Sequence, residues 1–298
     1  MWKRSAITRV SPGDQVVLVY QPQCGACPCC VSGDPHLCAP GLAANRAGML
    51  LTGGPRLSVG GRAIHHHMGL SAFAEKAVVA EHSLVPVAID IAPEIAALFG
   101  CAVMCGAGSV LNTSGLRAGD TIAIVGIGGV GASALLAARL AGAARIIAVD
   151  LDADKRKLAL DLGATHAVTG GEDAAAEIKD LTGGGVDIGL ESAGTLGAFK
   201  TALDATKRGG KAVTLGLVNP ATPYALDIAA HVTGAKAIMG SYMGSCNPQI
   251  DIPKFIDFYK RGLFPIDRLI THRLALSDIN TALDRMADSR ALRQIVTP

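Results

Sequence analysis

The chain is short of charge, of export and membrane signals, and of evenly spread cysteine, and each shortage removes a class of protein. Charged residues make up 17% of its 298 positions and the formal net charge is +2. That balance creates no broad field, so nucleic acid and anionic membrane surfaces drop out as partners and small molecules remain. The opening Met1-Trp2-Lys3-Arg4-Ser5, followed by Ile7 and Val10 among polar residues, has no continuous apolar core and no cleavage site, so no secretory signal is read there. The most apolar stretch, 121–149, is broken by Arg139, Arg145 and five glycines, which does not suit a membrane span. There is no repeated unit and no low-complexity tract. Five of the eight cysteines fall between Cys24 and Cys38. A disulfide framework would spread them and would belong to a smaller chain. The expected compartment is therefore the cytoplasm, where clustered thiols hold metal.

What is present points to two domains. Half of the residues are hydrophobic, enough for two cores in a chain of this length. The first hundred residues read as short β segments between turns: Ser11-Pro12-Gly13-Asp14 precedes a strand at 15–20, and 72–79 alternates as a strand before Glu81-His82. From Thr121 onward, strand-like runs at 121–125, 145–149, 166–168, 186–190 and 211–217 alternate with helical patterns. This predicts an α/β fold in which helices cover a parallel sheet. Gly163 is expected to stop the helix at 155–162, and Gly209-Gly210 the one at 199–208. After Met239 the rhythm changes to helices at 252–261 and 277–286, the second with Ser277 as N-cap, and a last strand at 294–296. The tail 240–298 is expected to return to the first domain.

Gly126-Ile127-Gly128-Gly129-Val130-Gly131 follows a predicted strand and opens a helix expected near Ala132. It fits G-x-G-x-x-G. Glycine is needed because the backbone must turn tightly, approach a pyrophosphate, and let helix and strand touch, while the helix N-terminus offers N–H groups to phosphate. The next strand ends at Asp150, nineteen residues beyond Gly131, where a carboxylate accepts ribose hydroxyls. A carboxylate also repels the extra phosphate of NADP, so NAD is favoured, although Lys155 and Arg156 supply cations nearby.

Cys24, Cys27, Cys30 and Cys38 are spaced C-x2-C-x2-C-x7-C, with Gly25 between the first two. Four thiolates close a tetrahedral site with no open position, so Zn²⁺ here would be a structural staple. An iron–sulfur cluster is the rival, but the fourth spacing and the lack of a second set fit it poorly. Cys29 is assigned no role. His65-His66-His67 alternate across a strand and are not expected to share one ion.

Across nearly its whole length the chain resembles the zinc-dependent medium-chain alcohol dehydrogenases. The resemblance rests on the four-cysteine lobe, the glycine motif and Gly100-Cys101-Ala102-Val103-Met104-Cys105-Gly106. It implies a Rossmann doubly wound sheet at 103–239 and a partial GroES-like β-barrel catalytic domain at 1–102, completed by 240–298. It also implies roles that the residues alone do not carry: Cys101 as a catalytic-zinc ligand, Tyr20 and Met68 lining the alcohol pocket, and Leu217 and Met239 flanking the nicotinamide ring. Arg293 would pair with the cofactor pyrophosphate, and Lys155 would join the cofactor residues. The reaction implied is NAD-dependent, zinc-assisted hydride transfer between alcohols and aldehydes or ketones, in a homodimer or homotetramer. The family takes a further cysteine, a histidine and an acid from upstream of the lobe. The twenty-three residues before Cys24 contain no Cys or His, so the catalytic site is expected to be incomplete and turnover weak. Two other readings remain. A non-catalytic dinucleotide-binding protein is one. The other is a zinc-free quinone or enoyl reductase of the same superfamily, against which the cysteine lobe and Asp150 both count.

Overall fold

In the computed structural model, residues 7–288 and 291–298 are described, so the opening Met1–Ser5 segment lies outside them. The chain divides into two compact units. One is Met1–Met104 with Cys246–Lys260 and Ile270–Pro298; the other is Cys105–Ser245 with Arg261–Leu269. The tail expected to return as one piece from residue 240 therefore gives up both 240–245 and Arg261–Leu269 to the second unit. No single helix among the described residues is long and apolar enough to cross a membrane; the apolar stretch at 121–149 is strand, glycine turn, helix and strand.

The second unit is built on a six-stranded parallel sheet. Its strands are β1 (Thr121–Val125), β2 (Arg145–Asp150), β3 (His166–Thr169), β4 (Val186–Glu191), β5 (Thr206–Thr214) and β6 (Ala237–Gly240). The order across the sheet is β6-β5-β4-β1-β2-β3. This is the doubly wound arrangement of two mononucleotide-binding halves, with the order reversing between β1 and β4. The crossovers carry α1 (Gly129–Leu140), α2 (Ala153–Leu162), α3 (Ala174–Thr182), α4 (Leu196–Ala205) and α5 (Ile228–Gly234). Parallel strands covered on both faces must be apolar throughout, and Ile122, Ala123, Ile124, Ile147, Ala148 and Val149 are all fully buried. Each such Ile or Val contributes about 1.5–3 kcal/mol by leaving water.

Local chemistry sets the element ends. Asp152 caps α2 by accepting from the N–H groups of Asp154 and Lys155, and Gly163 ends it in the left-handed conformation, as the sequence predicts. The end of α4 corrects the sequence reading. The helix stops at Ala205, where the Thr206 hydroxyl donates to the Ala202 carbonyl at 2.8 Å, and Gly209-Gly210 lie inside β5 instead of ending a helix. The edge strand β6 has no counterpart in the sequence reading. The helix α1 begins at Gly129, three residues before the expected start at Ala132.

The first unit holds three two-stranded ladders: Val16–Leu18 antiparallel to Leu84–Pro86, Leu57–Val59 antiparallel to Arg62–Ile64, and Ile270–Ala275 parallel to Arg293–Thr297. Segment 72–79, read as a strand, forms none. Its residues through Val78 are all exposed, so the alternation has no buried face to select it, and Ser71 before it takes a left-handed turn. Ser277 is not an N-cap: a 3₁₀ turn, Leu276–Asp278, comes first, and the helix Ile279–Ala287 starts from Asp278. Buried Val17, Val85, Phe99, Val103 and Phe255 belong to this unit's core. Gly100 lies flat on the first strand, where any Cβ would collide with the Leu18 carbonyl, and so fixes the backbone that presents Cys101.

Candidate functional site

The glycine turn gives each motif glycine a different task. Gly126 has φ +96°, a region that L side chains rarely adopt, and an added Cβ would press on Ala193. Gly131 lies so close to the Gly126 carbonyl that a Cβ would collide with it, so the helix can meet the turn only through glycine. Gly128 is the N-cap of α1, and a Cβ there would meet nothing within 4 Å. Tight turn, open approach and close packing are the three requirements of a pyrophosphate-binding turn, and the open one sits at the positive end of a helix dipole. Gly129 and Val130 form the first turn of that helix.

Asp150 ends β2 beside this turn. Its carboxylate accepts from the Ile127 N–H at 2.6 Å and from the Asp152 N–H at 3.0 Å, which ties the acid to the motif. Lys155 is half-buried in the first turn of α2. Arg156, which the sequence offers only as a nearby cation, donates one guanidinium nitrogen to the Asp150 and Leu151 carbonyls, each at 2.9 Å. Of the residues expected at the nicotinamide, Leu217 follows β5 and is 86% exposed, while Met239 lies half-buried in β6. Sequence reading missed Glu191 and Ser192 at the end of β4; the Ser192 hydroxyl donates to the Gly126 carbonyl at 2.7 Å. The only signal available was a polar pair followed by Ala193-Gly194 at a strand end.

In the first unit the sulfurs of Cys24, Cys27, Cys30 and Cys38 all lie within 4.8 Å of one another. Zn–S bonds of about 2.3 Å in a tetrahedron put sulfurs about 3.8 Å apart, so this set fits the ion with little adjustment. Gly25 has φ +73°, which lets the chain double back between the first two ligands. Backbone N–H groups already point at sulfur: Cys27 to Cys24 at 3.2 Å, Cys24 to Cys38 at 3.2 Å and Gly41 to Cys38 at 3.4 Å. The thiols differ accordingly. The Cys24 thiol is brought down to about 6, chiefly by the Ala26 backbone N–H, whereas burial pushes Cys30 up to about 12. Burial also raises Cys38. Such a pocket accepts charge on Cys24 and resists it on Cys30 and Cys38, and a dication removes that conflict. The Cys29 thiol stands outside the four-sulfur set.

Cys101 is exposed, and with Arg293 it lines one groove of about 350 Å³ that also holds Phe73, Leu98 and Leu276. Tyr20 is half-buried beyond the first strand, and Met68 is exposed with φ +53°; neither lines that groove. Among the described residues, the four-cysteine set is the one group of three or more metal-binding side chains brought together, and Cys101 is not in it. The residues described thus fit a structural zinc and do not make a catalytic one. His65 and His67 are exposed while His66 is buried, its Nε2 accepting from the Arg56 N–H at 3.0 Å, so the three do not converge.

Comparison with known proteins agrees with this geometry. A zinc-binding dehydrogenase family model matches residues 129–261. The class-3 alcohol dehydrogenase of Myxine glutinosa is 35% identical over 97% of this chain and 78% of its own length. Benzyl alcohol dehydrogenase from Acinetobacter calcoaceticus superposes with a TM-score of 0.89 at 34% identity, over 97% of this chain and 78% of that one. A zinc-binding dehydrogenase from Sinorhizobium meliloti bound to NADP does so at 0.76 and 28% identity, over 99% and 79%. The chain belongs to the zinc-dependent medium-chain alcohol dehydrogenase family. It is an oxidoreductase by that membership, and its Rossmann unit is the family's dinucleotide-binding half.

Proposed function

We propose that this chain is an NAD-dependent alcohol oxidoreductase whose dinucleotide rests at the Gly126–Gly131 turn with its adenosine ribose on Asp150. The observation that carries this is the division of labour among the three glycines, in particular the open space at Gly128 beside the tightly packed Gly126 and Gly131. A bound nicotinamide dinucleotide supplies the hydride acceptor or donor. The α1 N-terminus and the turn's N–H groups hold phosphate, Asp150 orients the sugar and disfavours a 2′-phosphate, and Arg293 serves as a further phosphate partner. Tyr20 and Met68 are assigned to an apolar alcohol pocket, Leu217 and Met239 to the nicotinamide, and Lys155 to the adenosine end. The four-cysteine zinc staples the lobe and takes no part in the chemistry.

Two substitutions separate binding from folding. Gly128→Ala is expected to leave Tm unchanged and weaken NAD binding by roughly tenfold or more in calorimetry, the effect of about 1.4 kcal/mol lost at the phosphate. Gly131→Ala is expected to lower Tm, because its methyl has nowhere to go. Equal NAD affinity in wild type and Gly128→Ala would remove the turn from the site.

One observation favours a second reading, dinucleotide binding without metal-assisted turnover: Cys101 joins no ligand set among the described residues. Zinc counting beside an NAD-linked assay with benzyl alcohol and short primary alcohols separates the two. Turnover with NAD supports the enzyme, and a second zinc would show that metal takes part; one zinc, with NAD bound and no turnover, supports the second reading.

A further inference from the structure

Glu191 is fully buried at the carboxyl end of β4, the strand on the far side of the order reversal from Asp150. All its side-chain partners are N–H or O–H donors. One oxygen accepts from the Gly194 N–H at 2.5 Å; the other accepts from the Thr214 hydroxyl at 2.7 Å and from the Gly216 N–H at 3.2 Å. These donors come from the loop after β4 and from the end of β5 with the loop that follows it. The loops touch without side chains between them: Gly194 has φ +72°, and a Cβ on Gly216 would collide with Gly194. The next residue, Ser192, holds the glycine turn through its bonds to the Gly126 and Val125 carbonyls, and Ala193 packs against Gly126. Residues 191–194 therefore fasten the pyrophosphate turn on one side and the loop after β5 on the other.

Burying a carboxylate is costly unless every lone pair is used, and nothing in an apolar sheet requires one here. Its effect is to fix two glycine loops at the carboxyl ends of adjacent strands, where open α/β sheets bind ligand. In a sheet of two mononucleotide halves, β1 to β3 with Asp150 serve the adenosine, and β4 to β6 serve the second nucleotide. We propose that Glu191 is a positioning residue for the nicotinamide half of the cofactor, acting through Gly194, Thr214 and Gly216. This rests on the cofactor reading above.

The test is calorimetry with NAD⁺ and with AMP, a probe of the adenosine half alone, on wild type and Glu191→Gln. The amide keeps the shape but turns one acceptor into a donor facing donors. NAD⁺ affinity is expected to fall about tenfold or more, the scale of one lost hydrogen bond to a charged group, with AMP affinity unchanged. A merely structural role would weaken both ligands together, and that result, or no change in either, overturns the proposal. Should the Gln variant not fold, Thr214→Val decides the matter by the same NAD⁺-selective loss. Wild-type protein that binds neither ligand would instead overturn the cofactor reading itself.

Discussion

Changing Cys27 to serine is expected to reduce the zinc content from about one ion per chain to nearly none and to lower Tm sharply. Cys27 is one of four sulfurs within 4.8 Å, and its N–H also supports the Cys24 sulfur at 3.2 Å. Structural zinc contributes folding free energy directly, on the order of 10 kcal/mol in small thiolate sites, and three ligands hold it far less well. The loss should track the lobe, because the proposed ion would hold residues 24–38 together and do no chemistry. The same site gives a pH dependence of known sign. Metal binding keeps the sulfurs as thiolates, and backbone N–H groups bring Cys24 to about 6, below its ordinary value of 9.0. A depressed pKa gives stability that is complete above the ordinary value of 9.0 and is lost progressively as pH falls toward about 6. Elemental analysis with thermal unfolding from pH 9 to pH 5 checks both. Iron, or no metal in wild type, would overturn the assignment.

The second large effect is expected at Asp150. Replacing it with glycine should raise the preference for NADP relative to NAD by roughly five- to a thousandfold. A charge pair near 4 Å is worth about 1–4 kcal/mol between water and an effective dielectric of 20, and each 1.4 kcal/mol is tenfold. Part of the change will appear as weaker NAD binding, since the Asp150 carboxylate also supports the Ile127 N–H at 2.6 Å. Asp150→Asn separates the two contributions by keeping an acceptor and removing the charge. The ratio should approach parity without inverting, because Arg156 is already committed to the Asp150 and Leu151 carbonyls. Dissociation constants for both cofactors on the three proteins give the answer; an unmoved ratio would end the role given to Asp150.

The features legible in the sequence were those set by local chemistry. Strands β1, β2 and β4 are mostly apolar runs whose side chains are largely buried on both faces, and α2 carries its own cap and stop in Asp152 and Gly163. The four cysteines declare their site by spacing alone. The features that were not legible depend on distant partners. The strand at 72–79 alternates convincingly, but no surface buries it. Gly209-Gly210 look like a helix stop, whereas a hydroxyl at Thr206 had already ended the helix. Ala237–Gly240 is too short and glycine-tipped to announce a strand until β5 lies beside it. Glu191 draws no reading from the sequence, and only the fold brings Thr214 and Gly216 to it.

The sulfur pocket carries one more consequence. Three main-chain amides are aimed at two of its thiols, and Gly25 has already made the bend. The main chain therefore shares the sulfurs' charge with the ion, and backbone as well as metal sets the size of the socket. Cobalt should then seat there in place of zinc, where its visible sulfur-to-metal absorption would report occupancy directly.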